Sequence, residues 1–304
     1  MFDFPVGDNG PGMNAYRSTS LFQPHRTRQA IRDAHAKKIQ PLMGIYLAVS
    51  SIPVARLVAP LGFDTVWIDW EHSSCNVETM TTMVHEIMFM SEGRTIPFVR
   101  IPGHDHASIG YALDAGASII APQVDTVEQA RHIISAAKFG SKNKGTRSAP
   151  PFRLIPNLTD LPHDIEKSLH ENLNDQAAIM IQVETIEGIN NLDAILTACP
   201  EIDAVWLGTL DCRISMNLPA NFGAGNEPEW VQAQAKYIET MKKHDKPKAG
   251  FALGPPQAVT AMGEGKSFLI VAVDVLAVVG LTRDLATARD LFPARGAKDQ
   301  YGEL

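Results

Sequence analysis

The sequence predicts a (β/α)8 TIM barrel, and three observations carry that expectation. Eight short apolar runs, rich in β-branched residues, recur along the chain, each bounded by turn residues or charge. Amphipathic helical segments separate them, as a parallel sheet covered on both faces requires. Several of the runs end in an acid, a histidine or an arginine, as the strands at the catalytic rim of such a barrel do. No Gly-rich dinucleotide loop follows the first run, so an open doubly wound sheet fits less well.

In chain order, residues 1–25 are rich in Gly, Pro, Asn and Ser, and read as an irregular N-terminal arm. Residues 26–304 read as a single barrel domain. A helix is expected from residue 26 through Ala30 and Ile31 to Lys38. The strand-like runs are 41–49, 64–70, 96–101, 118–124, 177–184, 203–208, 248–253 and 268–275. Helical periodicity covers 76–91, 126–138, 187–198, 228–243 and 282–292. In 126–138, for example, Val127, Ala130, Ile133, Ile134 and Ala137 fall on one face. Residues 140–176 break the pattern with Gly145, Pro150, Pro151, Pro156 and Pro162. An insert of this length is usually functional or an interface element. Its position beside the rim and a plain surface excursion are equally open.

With 304 residues, 45% of them apolar and 20% charged, the chain has the composition of a globular protein with a full core. A net charge of −7 and the lack of any Lys/Arg-rich block argue against nucleic acid as a partner. Cys75, Cys199 and Cys212 show no paired metal spacing, and an odd, sparse count points to a reducing, cytoplasmic setting. Cys212 reads as a buried small thiol. No apolar stretch of membrane-spanning length and no signal peptide are expected.

The chemistry-bearing residues stand at the run ends. Glu184 and Asp211 lie one β/α unit apart, so a parallel barrel makes them neighbours. Two carboxylates there repel unless a cation neutralises them. Each alone could instead cap a helix N-terminus. Asp69-Trp70-Glu71-His72 follows another run, and His72 is either a structural histidine or a general base oriented by an acid. Arg100 offers a planar fork for a carboxylate or an enolate oxygen. Asp114 lies near a helix end, where the macrodipole disfavours an acid. His104, His106, His132, His163 and His170 have no ligand spacing. A phosphate grip is missing after the seventh and eighth runs, and no lysine sits where a Schiff base would need it.

These residues lie in five motifs: Gly-Phe-Asp-Thr-Val-Trp-Ile-Asp-Trp-Glu-His, Pro-Phe-Val-Arg-Ile-Pro, Ala-Leu-Asp-Ala-Gly-Ala, Gln-Val-Glu-Thr and Gly-Thr-Leu-Asp. Their order and spacing over residues 40–293 resemble the metal-dependent (class II) pyruvate aldolases of the hydroxy-oxo-heptanedioate (HpcH/HpaI) aldolase family. The resemblance implies a barrel whose eighth, C-terminal helix is exchanged between subunits of a hexameric homo-oligomer. It implies Mg2+, replaceable by Mn2+ or Co2+, on Glu184 and Asp211. Arg100 matches the arginine that holds the keto or enolate oxygen, and Asp69 and His72 match an acid/base pair. Asp114 matches an acid supplied near the interface. Gln182 precedes the glutamate as in the family, and the backbone at Gly208, Thr209 and Leu210 would take the substrate carboxylate. Here the common Gly-Pro-Ala-Asp reads Gly208-Thr209-Leu210-Asp211, and Leu210 is bulkier. The implied substrates are a small 2-oxo acid, pyruvate or oxaloacetate, and an electrophile. In catabolic members the electrophile is an aldehyde, and in a biosynthetic member it is a 2-pyrone. An oxo-acid-binding barrel without catalysis is the non-enzymatic alternative.

Overall fold

The computed structural model describes residues 12–292. Eight parallel strands close into a barrel in sequence order. They are β1 (Leu42–Leu47), β2 (Thr65–Asp69), β3 (Ile96–Arg100), β4 (Ser118–Ala121), β5 (Ile179–Val183), β6 (Ala204–Leu207), β7 (Lys248–Phe251) and β8 (Phe268–Val273). Each falls inside one of the apolar runs. The helices are α1 (Thr27–His35), α2 (Ile52–Val58), α3 (Val77–Met90), α4 (His106–Ala115), α5 (Val127–Ala137), α6 (Leu169–Gln176), α7 (Ile186–Ala198), α8 (Thr209–Ser215), α9 (Pro228–Lys243), α10 (Pro256–Gly263) and α11 (Asp274–Leu291).

Strands β2, β3 and β5 are buried at every position, because one face packs inside the barrel and the other under the helices. That is why their sequences run apolar without alternation. Leu42, Trp67, Phe98, Ile120, Met180, Trp206, Phe268 and Ile270 fill the interior. Val66, Ile68, Val99, Ile119, Ile179, Ile181 and Val205 face the helices. Edge-on aromatic packing builds the inner layers. Trp206 lies 4.9 Å from Trp67 and 4.8 Å from Phe251, centroid to centroid, and Phe98 lies 5.1 Å from Phe268.

Local signals start the helices. Asn76 accepts from the Thr79 amide ahead of α3, Asp105 from Ser108 ahead of α4, and Thr126 forms a capping box with Gln129 ahead of α5. The segment 12–25, expected to be irregular, opens with a 3-10 turn over Gly12–Tyr16. Met13 and Tyr16 join Ala30, Ile31 and Ala34 of α1 in the cluster that fills the barrel, so this segment and α1 close its N-terminal end. The His25 ring nitrogen Nε2 bonds the Gly93 carbonyl at 2.8 Å. Residues 1–11 of the arm, and 293–304 of the expected barrel domain, lie outside the described residues.

One expectation shifts. The eighth run was expected to continue as strand to residue 275, with a helix from 282; instead α11 begins at Asp274. The apolar run through Leu281 hides that boundary from periodicity. The Asp274 carboxylate fixes it, accepting from the Ala48 and Val49 amides after β1, at 2.9 Å each. The insert 140–176 leaves the C-terminal end of α5 and enters the N-terminal end of β5, so it is rooted at the end of the barrel opposite the strand tips. Its Leu158 and Thr159 carbonyls accept from the Leu21 amide and Gln23 Nε2. Three free thiols and no helix long and apolar enough to cross a membrane are found among the described residues.

Gly44 on β1 has no room for a side chain: a Cβ there would lie 2.1 Å from Thr65 Oγ1 and 3.0 Å from Ile270 Cδ1. Gly44→Ala should therefore destabilise the barrel by about 1–3 kcal/mol, read as a lower midpoint in denaturant unfolding. An unchanged midpoint would show that β1 and β2 can part at this point.

Candidate active site

The site is assembled at the C-terminal strand ends, the catalytic face of this fold. β2 and β3 pair in register with Asp69 opposite Arg100, so their inward side chains meet at the mouth. Arg100 Nε donates to Asp69 Oδ1 at 3.0 Å, and Nη2 donates to Oδ2 at 2.8 Å. This bidentate pair is almost wholly buried, and the Arg100 fork lies over the Trp67 ring at 5.2 Å. Burial opposes ionisation of Asp69, yet Arg100 more than offsets it and holds the carboxyl below its usual range.

Tyr46 of β1, not singled out in the sequence, completes the group. Its hydroxyl donates to Asp69 Oδ2 at 2.6 Å and accepts from Arg100 Nη2 at 2.9 Å. Arg100 Nη1 has no protein partner among the described residues and is not sealed from solvent. Glu71 adds a second acid beside Arg100, with Oε2 3.2 Å from Nε.

Glu184, directly after β5, is the second centre. Thr185, not Glu184, caps α7, which removes the capping explanation for this acid. Gln182 Nε2 donates to Glu184 Oε1 at 3.1 Å, and the Gln123 amide donates to Oε2 at 3.0 Å. Gln123 holds that amide in place from a left-handed backbone, φ 47°, in the loop after β4. Gly208 is a glycine for a steric reason: a Cβ there would stand 2.5 Å from Glu184 Cγ. Burial first, and then the charge of Asp211, push the Glu184 carboxyl up to about 7.

Asp211 lies in the first turn of α8 and is exposed. No side chain caps α8, so its leading amides at Thr209 and Leu210 stay open at the mouth. Buried Arg213 anchors the helix, with Nη1 and Nη2 donating to Glu227 at 2.7 and 2.8 Å and Nε donating to the Pro219 carbonyl.

The structure thus brings Asp69, Arg100, Gln182, Glu184, Gly208, Thr209, Leu210 and Asp211 to one end of the barrel. The His72 ring is not joined to Asp69. Only the His72 backbone amide reaches Asp69, while the exposed imidazole lies 3.6 Å from Glu71 Oε2. Asp114 stands elsewhere, in the last turn of α4 at the opposite barrel end, where Arg147 Nη2 donates to it at 2.6 Å. Tyr46, Glu71 and Gln123 escaped the sequence reading of roles. Tyr46 and Gln123 sit in runs that read as plain strand, and Glu71 lies between Asp69 and His72, whose types carry the stronger chemical signal.

Two acids without a lysine or arginine of their own, one of them buried, suit a hard divalent cation. Among the described residues no three His, Cys, Asp or Glu side chains gather as a ready-made cage. A cation held by Glu184 and Asp211 would therefore need further oxygen ligands from outside the described side chains.

A model of the HpcH/HpaI aldolase/citrate lyase family matches residues 42–278. The 2-keto-3-deoxy-L-rhamnonate aldolase of Klebsiella pneumoniae subsp. pneumoniae is 30% identical over 239 residues, 77% of this chain and 83% of its own length. The enzyme of the same name from Escherichia coli is 28% identical over 245 residues, 79% and 85% of the two chains. Among solved structures, macrophomate synthase matches with a TM-score of 0.83 at 31% identity, covering 92% of this chain and 95% of its own. An HpcH/HpaI aldolase/citrate lyase family protein from Burkholderia cenocepacia matches in fold, with a TM-score of 0.73 at 24% identity and coverage of 86% and 98%.

Because Glu184 titrates higher in the fold than in the open chain, its contribution favours the fold at low pH and fades as pH rises toward about 7. Cation-free protein should therefore lose thermal stability over that window, and added Mg2+ should restore it. Glu184→Gln should flatten both effects. Gly208→Ala, which forces Glu184 aside, should weaken cation binding by roughly tenfold or more, measured by calorimetry. A Gly208→Ala protein that binds the cation like the parent would dissociate Glu184 from the site.

Proposed function

The chain belongs to the HpcH/HpaI aldolase/citrate lyase family and is a carbon–carbon lyase of that class, and we propose that it generates the enolate of a pyruvate-type 2-oxo acid and passes it to a proton or an electrophile. The observation that carries this reading is the free Nη1 edge of Arg100, at the same barrel mouth as Glu184 and Asp211. Oxaloacetate decarboxylation is the preferred source of the enolate, with macrophomate synthase-like coupling to a 2-pyrone. Retro-aldol cleavage of a 4-hydroxy-2-oxo acid is the second reading, and the rhamnonate aldolase relatives favour it.

Family aldolases of class II depend on a divalent metal. Glu184 and Asp211 would hold it here, Mg2+ in our reading with Mn2+ or Co2+ as substitutes, and it would supply Lewis-acid polarisation of the oxo-acid oxygens. Arg100 donates through Nη1 to the oxygen on which negative charge develops, with Asp69 holding the fork still. The open amides at Thr209 and Leu210 receive the substrate carboxylate, whereas the Gly208 amide expected to share that role already donates to the Val183 carbonyl at 2.9 Å. His72, beside Glu71, moves the hydroxyl proton that a retro-aldol step must remove. Loss of CO2 needs no base, so the two reactions depend on His72 to different degrees.

The test is incubation with oxaloacetate and Mg2+, following CO2, and with a 4-hydroxy-2-oxo acid, following aldehyde. Exhaustive chelation should stop both, and full turnover without metal would overturn the assignment of Glu184 and Asp211. Arg100→Lys should lose roughly 10²-fold or more, because one point charge cannot replace a fork already bound bidentately to Asp69. His72→Ala should lose roughly 10²–10⁴-fold in aldol cleavage and less in CO2 release. Equal losses in the two reactions would assign His72 to a step that both share.

We also propose a homo-oligomer, a hexamer, in which α11 docks on a neighbouring copy. In support, α11 buries none of its residues in its own chain, and Val275, Leu276, Val278, Val279, Leu281 and Leu285 stay exposed. Placing Asp114 near such an interface is part of the same reading. Leu276→Asp with Val279→Asp should lower the mass measured by light scattering. A parent protein that is already monomeric would remove the proposal.

A further inference from the structure

Arg100 carries five N–H donors, and the protein spends a definite subset of them. Nε goes to Asp69 Oδ1 and one Nη2 hydrogen to Asp69 Oδ2. The other Nη2 hydrogen goes to the Tyr46 hydroxyl. That leaves Nη1 alone to face the mouth. Asp69 is likewise saturated, since Oδ1 also accepts from the Glu71 and His72 amides and Oδ2 accepts from Tyr46. Two groups outside β2 and β3 touch both members of the pair: Glu71, on the Nε side of Arg100 and Oδ1 of Asp69, and the Tyr46 phenol, which alone bridges Nη2 to Oδ2. The phenol reaches them from the neighbouring strand, its ring 5.0 Å from Trp67, with Arg100 5.6 Å above it.

We infer that Tyr46 is a positioning residue for the oxo-acid reaction: its hydroxyl locks the Arg100 fork so that Nη1, and no other edge, meets the developing enolate oxygen. Without the hydroxyl, Nη2 keeps an unspent hydrogen. The guanidinium, held by Asp69 alone, would then offer Nη2 as well as Nη1 to a substrate oxygen and tilt about its bonds to Asp69. Burial pushes the phenol well above its usual range, so it stays a donor toward Asp69 at every working pH. Trp67 beneath and Asp69 beside the fork block the remaining rotations. A phenylalanine at position 46 would fill the same space and leave the Arg100–Asp69 bonds intact, so the hydroxyl has no packing role that the ring does not already fill. Its contribution is therefore to geometry at the reacting oxygen. The inference rests on the enolate reading of the site.

The experiment uses the full-length, Mg2+-loaded protein. It measures exchange of pyruvate methyl protons with deuterium by NMR and oxalate binding by calorimetry, oxalate being a planar mimic of the enolate. Tyr46→Phe should lower the exchange kcat and the oxalate affinity roughly tenfold each, with metal content and unfolding midpoint unchanged. In an Arg100→Ala background the same substitution should cost nothing further, because the group it positions is gone. Parent-like exchange and binding in Tyr46→Phe would overturn the inference. So would an equal loss with and without Arg100, which would give Tyr46 an independent role. A parent protein that neither exchanges pyruvate protons nor binds oxalate would instead overturn the enolate reading, and this inference with it.

Discussion

The site depends on the buried pair between Asp69 and Arg100, on adjacent strands in direct register. Taking both charges out of water is costly, and such pairs add little net stability to a fold. Here the expense fixes geometry. The bidentate bond and the Tyr46 bridge occupy three of the five donors of Arg100 and leave a single edge to the mouth. Removing either partner would leave the other buried and uncompensated, so the position of the guanidinium depends on Asp69 as much as on Arg100 itself.

Glu184 is treated in the opposite way. The protein gives it an amide from Gln123 and one from Gln182 but no cation within hydrogen-bond reach, and Asp211 raises its proton affinity further. The same rim thus holds one acid whose charge the chain has already neutralised and one whose charge it has left open. That contrast separates the two acids: Asp69 is held by an arginine, whereas Glu184 has no cationic side chain bonded to it and suits the cation proposed above. The neighbouring glycine follows from this, because Gly208 gives up its side chain so that Glu184 can approach the head of α8.

All eight strands were legible as short apolar runs, unbroken where both faces are buried as in β2, β3 and β5, and the strand-end acids stood out against those runs. The helix at 274 was not, since Val275–Leu281 continues the apolar run of β8 and the boundary is set by a distant contact from Asp274 to the loop after β1. Short helices such as α2 and α8 have too few turns to show a period. Among site residues, Glu184, Asp211, Asp69 and Arg100 could be read from their positions at run ends. Tyr46 could not, because an inward tyrosine in an apolar strand looks like core until its partners from two other strands are known. The link expected between the His72 ring and Asp69 failed for a related reason. Closeness in sequence gave Asp69 the His72 backbone amide, while Arg100 and Tyr46 took the remaining carboxylate positions.

The two ends of the barrel divide the work. At the strand tips, buried charge is arranged around an opening. At the other end, 12–25, α1 and the insert 140–176 seal the interior with Met13, Tyr16, Ala30 and Ile31 and satisfy helix ends through buried cations. Arg153 donates to the Leu113 and Asp114 carbonyls that close α4, and Arg147 pairs with the Asp114 side chain. This neutralises an acid placed against the macrodipole of its own helix. The insert, for which the sequence left a place beside the rim and a plain surface excursion equally open, is within one chain rooted at this sealed end. With the far end closed by these segments and the interior filled by edge-on aromatics, the open polar groups among the described residues of the barrel lie at the strand tips, where Arg100, Glu184 and Asp211 stand.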